Sequence, residues 1–201
     1  MGLVRSQSLP LPAVSGVRTL TPARGGGSHP ADFVHVTLIA EAYTAAEADV
    51  FFADAARLVH ECFLAPGAAF ASLMPLLAVH AVHAISDSGA LPIEYGRSSG
   101  GGGGNLRGAA ALSTTAFGLR REDGPLRTVA PPGSGRKAYA LARAVCGAWA
   151  PGCDHVLLVA HDPWYGGLGD AVAIFTSSAT SGALALRHEL GHILADVRNG
   201  L

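Results

Sequence analysis

The sequence predicts an α/β fold, and three observations predict it. Apolar, β-branched runs alternate along the chain with segments whose apolar residues recur every three or four positions. Turn-forming Gly and Pro clusters separate these runs. Of the 201 residues, 49% are apolar and 14% charged, a composition that buries a core rather than staying disordered.

The elements follow in order. Residues 1–31 are rich in Pro, Gly, Ser and Arg and end in "ARGGGSHPAD". They read as an extension outside the fold, disordered or targeting. They contain three arginines and no acid, a composition compatible with organelle import, and "MGLVRS" fits the loose myristoylation pattern. No apolar run precedes the prolines that would serve as a secretory signal, and the compartment stays undetermined. "FVHVTLIA" (33–40) reads as a strand. In "YTAAEADVFFADAARLVHECF" (43–63), Thr44 and Glu47 form a capping-box pair, and Phe51, Ala55, Leu58, Val59, Cys62 and Phe63 recur at helical spacing.

"FASLMPLLAVHAVHAI" (70–85) is the longest apolar run. Pro75, His80 and His83 interrupt it, so it reads as a helix end followed by a core strand over 75–86, not as a membrane span. Residues 87–135 read as mostly loop. Their "SSGGGGGN" (98–105) lacks the lysine and the strand–loop–helix setting of a phosphate-binding loop and reads as a flexible insertion. "GRKAYALARAVCGAWA" (135–150) reads as a helix, "DHVLLVAH" (154–161) as a buried strand, and "DPWYGGLGD" (162–170) as a tight loop. "AVAIFTSS" (171–178) reads as a further strand and "TSGALALRHELGHILADV" (180–197) as a helix capped by Thr180 or Ser181.

Bulk properties exclude some functions. The formal net charge is −1 and no basic or acidic block exists, so there is no nucleic-acid footprint. Three cysteines, Cys62, Cys146 and Cys153, do not have the paired spacing of a Cys-type zinc site. Cys146 and Cys153 have the spacing to pair across "GAWAPG", but free buried thiols are the favoured reading. Nothing in the sequence sets an oligomeric state.

The chemistry concentrates in "RHELGH" (187–192). His188 and His192 stand four residues apart, which on a helix puts both imidazoles on one face, able to bind one ion together. Glu189 follows the first histidine and can act as general base toward a water activated by Zn2+. Gly191 is a poor helix former, so a close neighbour is expected there. Leu186, Leu190, Ile193 and Val197 are expected to bury another face of the helix. The remaining strand histidines, His35, His80, His83, His155 and His161, read as hydrogen-bonded structural residues. His161 is the one nearest the glycine loop.

Four segments carry a more specific signal: "EAYTAAEADVFFADAARLV" (41–59), "STTAFG" (113–118), "DHVLLVAHDPWYGGLGD" (154–170) and "IFTSSATSGALALRHELGH" (174–192). In this order they resemble the IgA-peptidase family of zinc metallopeptidases, over roughly residues 33–197. The resemblance implies a zincin-like upper subdomain, a twisted mixed sheet with packed helices and a C-terminal active-site helix. It implies a catalytic domain over 32–201 that hydrolyses peptide bonds in a protein or peptide substrate. His188 and His192 would bind Zn2+ and Glu189 would be the general base. "AVAIFTSS" would be the edge strand, with Ile174, Phe175 and Thr176 aligning the substrate by backbone hydrogen bonds.

Two departures from the family pattern stand out. Glu41-Ala42-Tyr43 replaces Asp-Gly-Tyr. After Val197 the pattern stops and "RNGL" follows, so the domain is expected to be C-terminally incomplete and to lack an evident third zinc ligand. Asp196 is the only nearby acid, but its place on the same helix would spread the ligands along a line. The alternative expectation is therefore a catalytically inactive, truncated form that only binds a peptide or a partner.

Overall fold

The computed structural model describes residues 10–21, 32–95, 114–123, 128–169 and 171–195. Its centre is a six-stranded mixed sheet in the order β1-β3-β2-β7-β9-β8. The strands are β1 (Val14–Thr21), β2 (Val34–Glu41), β3 (Leu77–Ala84), β7 (His155–Ala160), β8 (Gly167–Leu168) and β9 (Ala173–Thr176). β3, β2, β7 and β9 are parallel, and β1 and β8 close the two sides antiparallel. The parallel strands are buried on both faces, which is why they read in sequence as near-continuous apolar runs.

The alternating side chains of these strands feed two cores. On one face Leu38, Phe51, Leu58, Phe63, Phe175 and Leu186 pack between the sheet, helix α1 (Ala48–Val59) and helix α3 (Gly182–Ala195). On the other face Ile39, Val82, Leu119, Val145, Leu158 and Ile174 pack beneath helix α2 (Arg136–Trp149). Among the described residues no helix is long and apolar enough to cross a membrane.

The expected helix over 43–63 comprises a short 3₁₀ turn (Ala45–Glu47), α1 and a π-helical turn (His60–Leu64). Its start is fixed as the sequence indicates: Thr44 donates both its backbone N–H and its hydroxyl to Glu47 Oε2, each at 2.8 Å.

Three expectations change. Residues 14–21 do not lie outside the fold but form β1, paired with β3 from Val14↔Ala84 to Thr21↔Val79. Its side chains are mostly half-buried or exposed, and two register shifts interrupt the pairing, so no clean alternation marks it in the sequence. The stretch 87–135 also contains a second sheet, β4 (Ile93–Tyr95), β5 (Arg120–Asp123) and β6 (Val129–Ala130). These strands are short, β5 is wholly charged, and pairing with distant residues creates them rather than local propensity. Cys146 and Cys153 are disulfide-bonded, with Cα atoms 5.8 Å apart, where free thiols were favoured. The helix end and the proline–glycine turn bring them together. Cys62 is buried and free. The five-glycine run lies outside the described residues.

Candidate metal centre

Helix α3 is seated on the sheet through Gly182, where an added Cβ would lie 2.7 Å from the Thr176 carbonyl oxygen and 3.0 Å from Leu58 Cδ2. Only glycine permits that approach. At the helix entrance the Ser178 hydroxyl accepts the Ser181 N–H and hydroxyl at 3.3 and 2.9 Å. The Ser178 carbonyl accepts the Gly182 N–H at 2.8 Å. Ser181 holds the expected cap position, its carbonyl accepting the Ala185 N–H at 2.9 Å, while the side chain that organises the turn is Ser178. Arg57 of α1 braces the same turn by donating to the Ser177 carbonyl at 2.6 Å.

From this base α3 buries Leu186 and Leu190, with Ile193 packed against the same core. His188 is exposed and His192 half-buried, on one face, with Nε2 atoms 3.1 Å apart. Two nitrogens bound tetrahedrally to one zinc ion at 2.0–2.1 Å lie about 3.3 Å apart. The observed separation is close to that value and is equally a hydrogen-bond distance between the two rings. Among the described residues, no group of three His, Cys, Asp or Glu side chains converges to hold a metal. Asp196, Val197 and the final "RNGL" lie outside the described residues.

Glu189 is buried beneath the two imidazoles, only 3% exposed. Its Oε2 is buried without a hydrogen-bond partner among the described residues. Burial pushes its carboxyl up to about 7, against the opposing pull of His192. The surrounding wall is backbone. A Cβ on Gly167 would lie 2.4 Å from Glu189 Oε1, and one on Gly169 would lie 2.6 Å from Oε2 and 3.1 Å from His192 Cδ2. The glycines of "YGGLGD" let β8 and the residue after it lie directly on the carboxylate and the second histidine. Sequence reasoning placed this segment as a loop and missed the contact. A glycine run after a buried strand was the available signal.

That loop is held from behind. Arg121 and Asp162, both 8% exposed, form a two-pronged ion pair, Nε to Oδ2 and Nη2 to Oδ1 at 2.6 Å each. Asp162 Oδ1 also accepts the Trp164 N–H at 2.8 Å, and the Trp164 carbonyl accepts the Thr176 hydroxyl at 2.7 Å. Glu41 ties in another segment. Its carboxylate accepts the Thr115 hydroxyl at 2.6 Å and the N–H groups of Phe117 and Leu119 at 2.9 and 2.8 Å. Its backbone carbonyl accepts the His161 N–H at 2.9 Å. Three of the four sequence segments singled out above therefore meet at Glu41.

Ile174, Phe175 and Thr176 do not line an edge. All three are fully buried. β9 pairs with β7 on one side and with β8 on the other, through Gly167↔Phe175 and Leu168↔Ile174, and Thr176 N–H donates to Gly166. The terminal strand is β8, which is too short and glycine-rich to read as a strand in sequence. Gly191 differs too: an added Cβ there would meet nothing within 4 Å among the described residues, so no close neighbour among them explains it.

Three of the five strand histidines are bonded as expected: His35 Nδ1 to His80 Nε2 at 2.9 Å, Thr19 to His80 at 3.2 Å and Ser15 to His83 at 2.6 Å. His161 differs: it stacks on Tyr43 with ring centroids 4.3 Å apart, and its Nδ1 lies 3.6 Å from Glu47 Oε1 without a hydrogen bond among the described residues. No protein-family model matches this chain, and no curated protein matches it.

Proposed function

We propose that this chain is a zinc-dependent metalloendopeptidase of the IgA-peptidase type, hydrolysing a peptide bond in a protein or peptide substrate. One observation carries the reading. A buried carboxylate with an unpartnered oxygen, Glu189, follows directly on one of two imidazoles spaced to share an ion. A structural helix face does not need a buried acid facing glycine backbone, because leaving such a group unpaired costs stability.

His188 and His192 would hold Zn2+ through their Nε2 atoms, and the reading requires a third ligand besides them. Bound zinc supplies Lewis acidity, making a water nucleophilic near neutral pH and polarising the substrate carbonyl. Glu189 takes the proton released as the water oxygen bonds to the carbonyl carbon, then delivers it to the departing amine as the C–N bond breaks. A carboxyl raised to about 7 can both hold and release a proton near neutral pH. The substrate backbone would pair with the outer side of β8, the terminal strand beside Glu189.

The test is mass-spectrometric detection of new peptide termini in a mixture of unfolded proteins incubated with the zinc-supplemented chain. The parent chain should generate them. Glu189→Gln, which keeps both imidazoles, should not. Equal cleavage by both proteins, or by neither, would sink the enzymatic reading. Saturable peptide binding without cleavage would favour a binding domain.

A further inference from the structure

We propose that the cleft beside Leu168 is a substrate subsite that takes a bulky uncharged side chain, of leucine, methionine or phenylalanine size, from an extended peptide paired with β8. The inference rests on the edge pairing proposed above and adds to it a specificity.

The argument starts from the two faces of β8. The Cβ direction of Gly167 points at Glu189. Successive residues of a strand point to opposite faces, so Leu168 points away from Glu189. There it lines a cleft of about 300 Å³ together with Arg120 of β5, Pro131 after β6, and Tyr139 of α2. A peptide strand paired with β8 alternates in the same way. A residue whose side chain turns toward the His188–His192 face is therefore flanked by residues that turn toward the cleft.

Size and chemistry restrict the occupant. A volume of about 300 Å³ is at the lower limit of ligand pockets, suited to one side chain rather than to a folded partner. Pro131, Leu168 and the Tyr139 ring offer apolar wall, and the turn 132–135, with Ser134, completes a lining that is more polar than apolar and suits an uncharged side chain. The charged lining residues, Arg120 and Glu122, come from one face of β5 and have opposite signs, and Glu122 already accepts the Thr128 hydroxyl at 2.5 Å. A charged occupant would gain from one and lose to the other, whereas an apolar one gains by leaving water. The wall is also preformed. Gly135 adopts φ +70°, and a Cβ on it would lie 2.8 Å from Tyr139 Cζ and 2.9 Å from Pro131 Cγ, so the turn backbone is packed directly on the ring.

The experiment uses the full chain carrying Glu189→Gln and a set of alanine-threonine peptides. Each peptide bears one benzoylphenylalanine, moved one position at a time, and crosslinks are mapped by mass spectrometry. Alternate positions should crosslink to Leu168, Pro131 or Tyr139. Ser134 is exposed at the cleft mouth, so Ser134→Trp should abolish those crosslinks and reduce the preference for phenylalanine over alanine by about tenfold or more, while Ser134→Ala retains both. Crosslinks only elsewhere, no crosslinks at all, or an unchanged preference in Ser134→Trp would overturn the proposal. Because the readout needs no turnover, the two readings separate. Cleavage by the parent chain without discrimination at any position removes the subsite alone. Crosslinking in the cleft without cleavage removes the peptidase alone.

Discussion

Gly167 lies so close over Glu189 that a single methyl group would collide with the carboxylate, 2.4 Å from Oε1. The obstructing atom ends a flexible side chain, so Gly167→Ala should displace the carboxylate rather than disrupt the core. Misplacing a catalytic group by about 1 Å can cost roughly 100-fold in rate. Hydrolysis should fall by about that factor with little change in the thermal midpoint. Unchanged hydrolysis would mean that Glu189 is not the base.

Zinc binding should depend on both imidazoles. The purified chain should retain zinc that His188→Ala loses, measured as metal per protein by mass spectrometry. Glu189→Gln should retain it, because both imidazoles are kept and Glu189 is not one of the proposed ligands. Equal zinc in the parent and His188→Ala would remove the metal centre.

Glu41 should make stability fall as pH rises through neutrality. Burial raises its carboxyl from 4.5 to about 7, outweighing the Thr115 hydroxyl and the Phe117 and Leu119 N–H groups that favour the charged form. A folded value above the unfolded one means that the group's stabilising contribution is complete below about 4.5 and lost as pH passes about 7. A rise of that size corresponds to about 3 kcal/mol. Urea unfolding at pH 5 and pH 8 should show this loss in the parent and a flatter dependence in Glu41→Gln. Glu41→Gln should also be less stable at pH 5 by about 1–3 kcal/mol, because an amide cannot serve all three donors. Parallel pH profiles would refute the assignment.

Ala42 is the one described non-glycine residue with positive φ, at +61°. Ala42→Val puts a β-branched side chain into a left-handed, fully buried position and should cost roughly 2–5 kcal/mol. Ala42→Gly should stay within about 1 kcal/mol of the parent: relief of about 1–2 kcal/mol of strain offsets a lost methyl and a more flexible chain. Chemical denaturation of both variants checks the pair. A well-tolerated valine would contradict the backbone assignment.

Much of this protein was determined locally. The Thr44–Glu47 cap, the helical spacing of Phe51, Leu58 and Cys62, and the buried runs of β2, β3 and β7 follow from periodicity and from backbone groups that need partners. His188, Glu189 and His192 were legible for the same reason, since helical geometry alone puts the two imidazoles on one face. The tertiary structure decided what local sequence cannot encode. β1 and β8 exist because β3 and β9 have sides to pair. β9 is interior, so Ile174, Phe175 and Thr176 are core and not an edge. Glu189 becomes a buried acid, one oxygen without a hydrogen bond among the described residues, where Gly167 and Gly169, some twenty residues earlier, are laid across it. Spacing along one helix sets which side chains can converge. The dielectric around them, and the shape of the wall above, come from chain segments that only folding brings there.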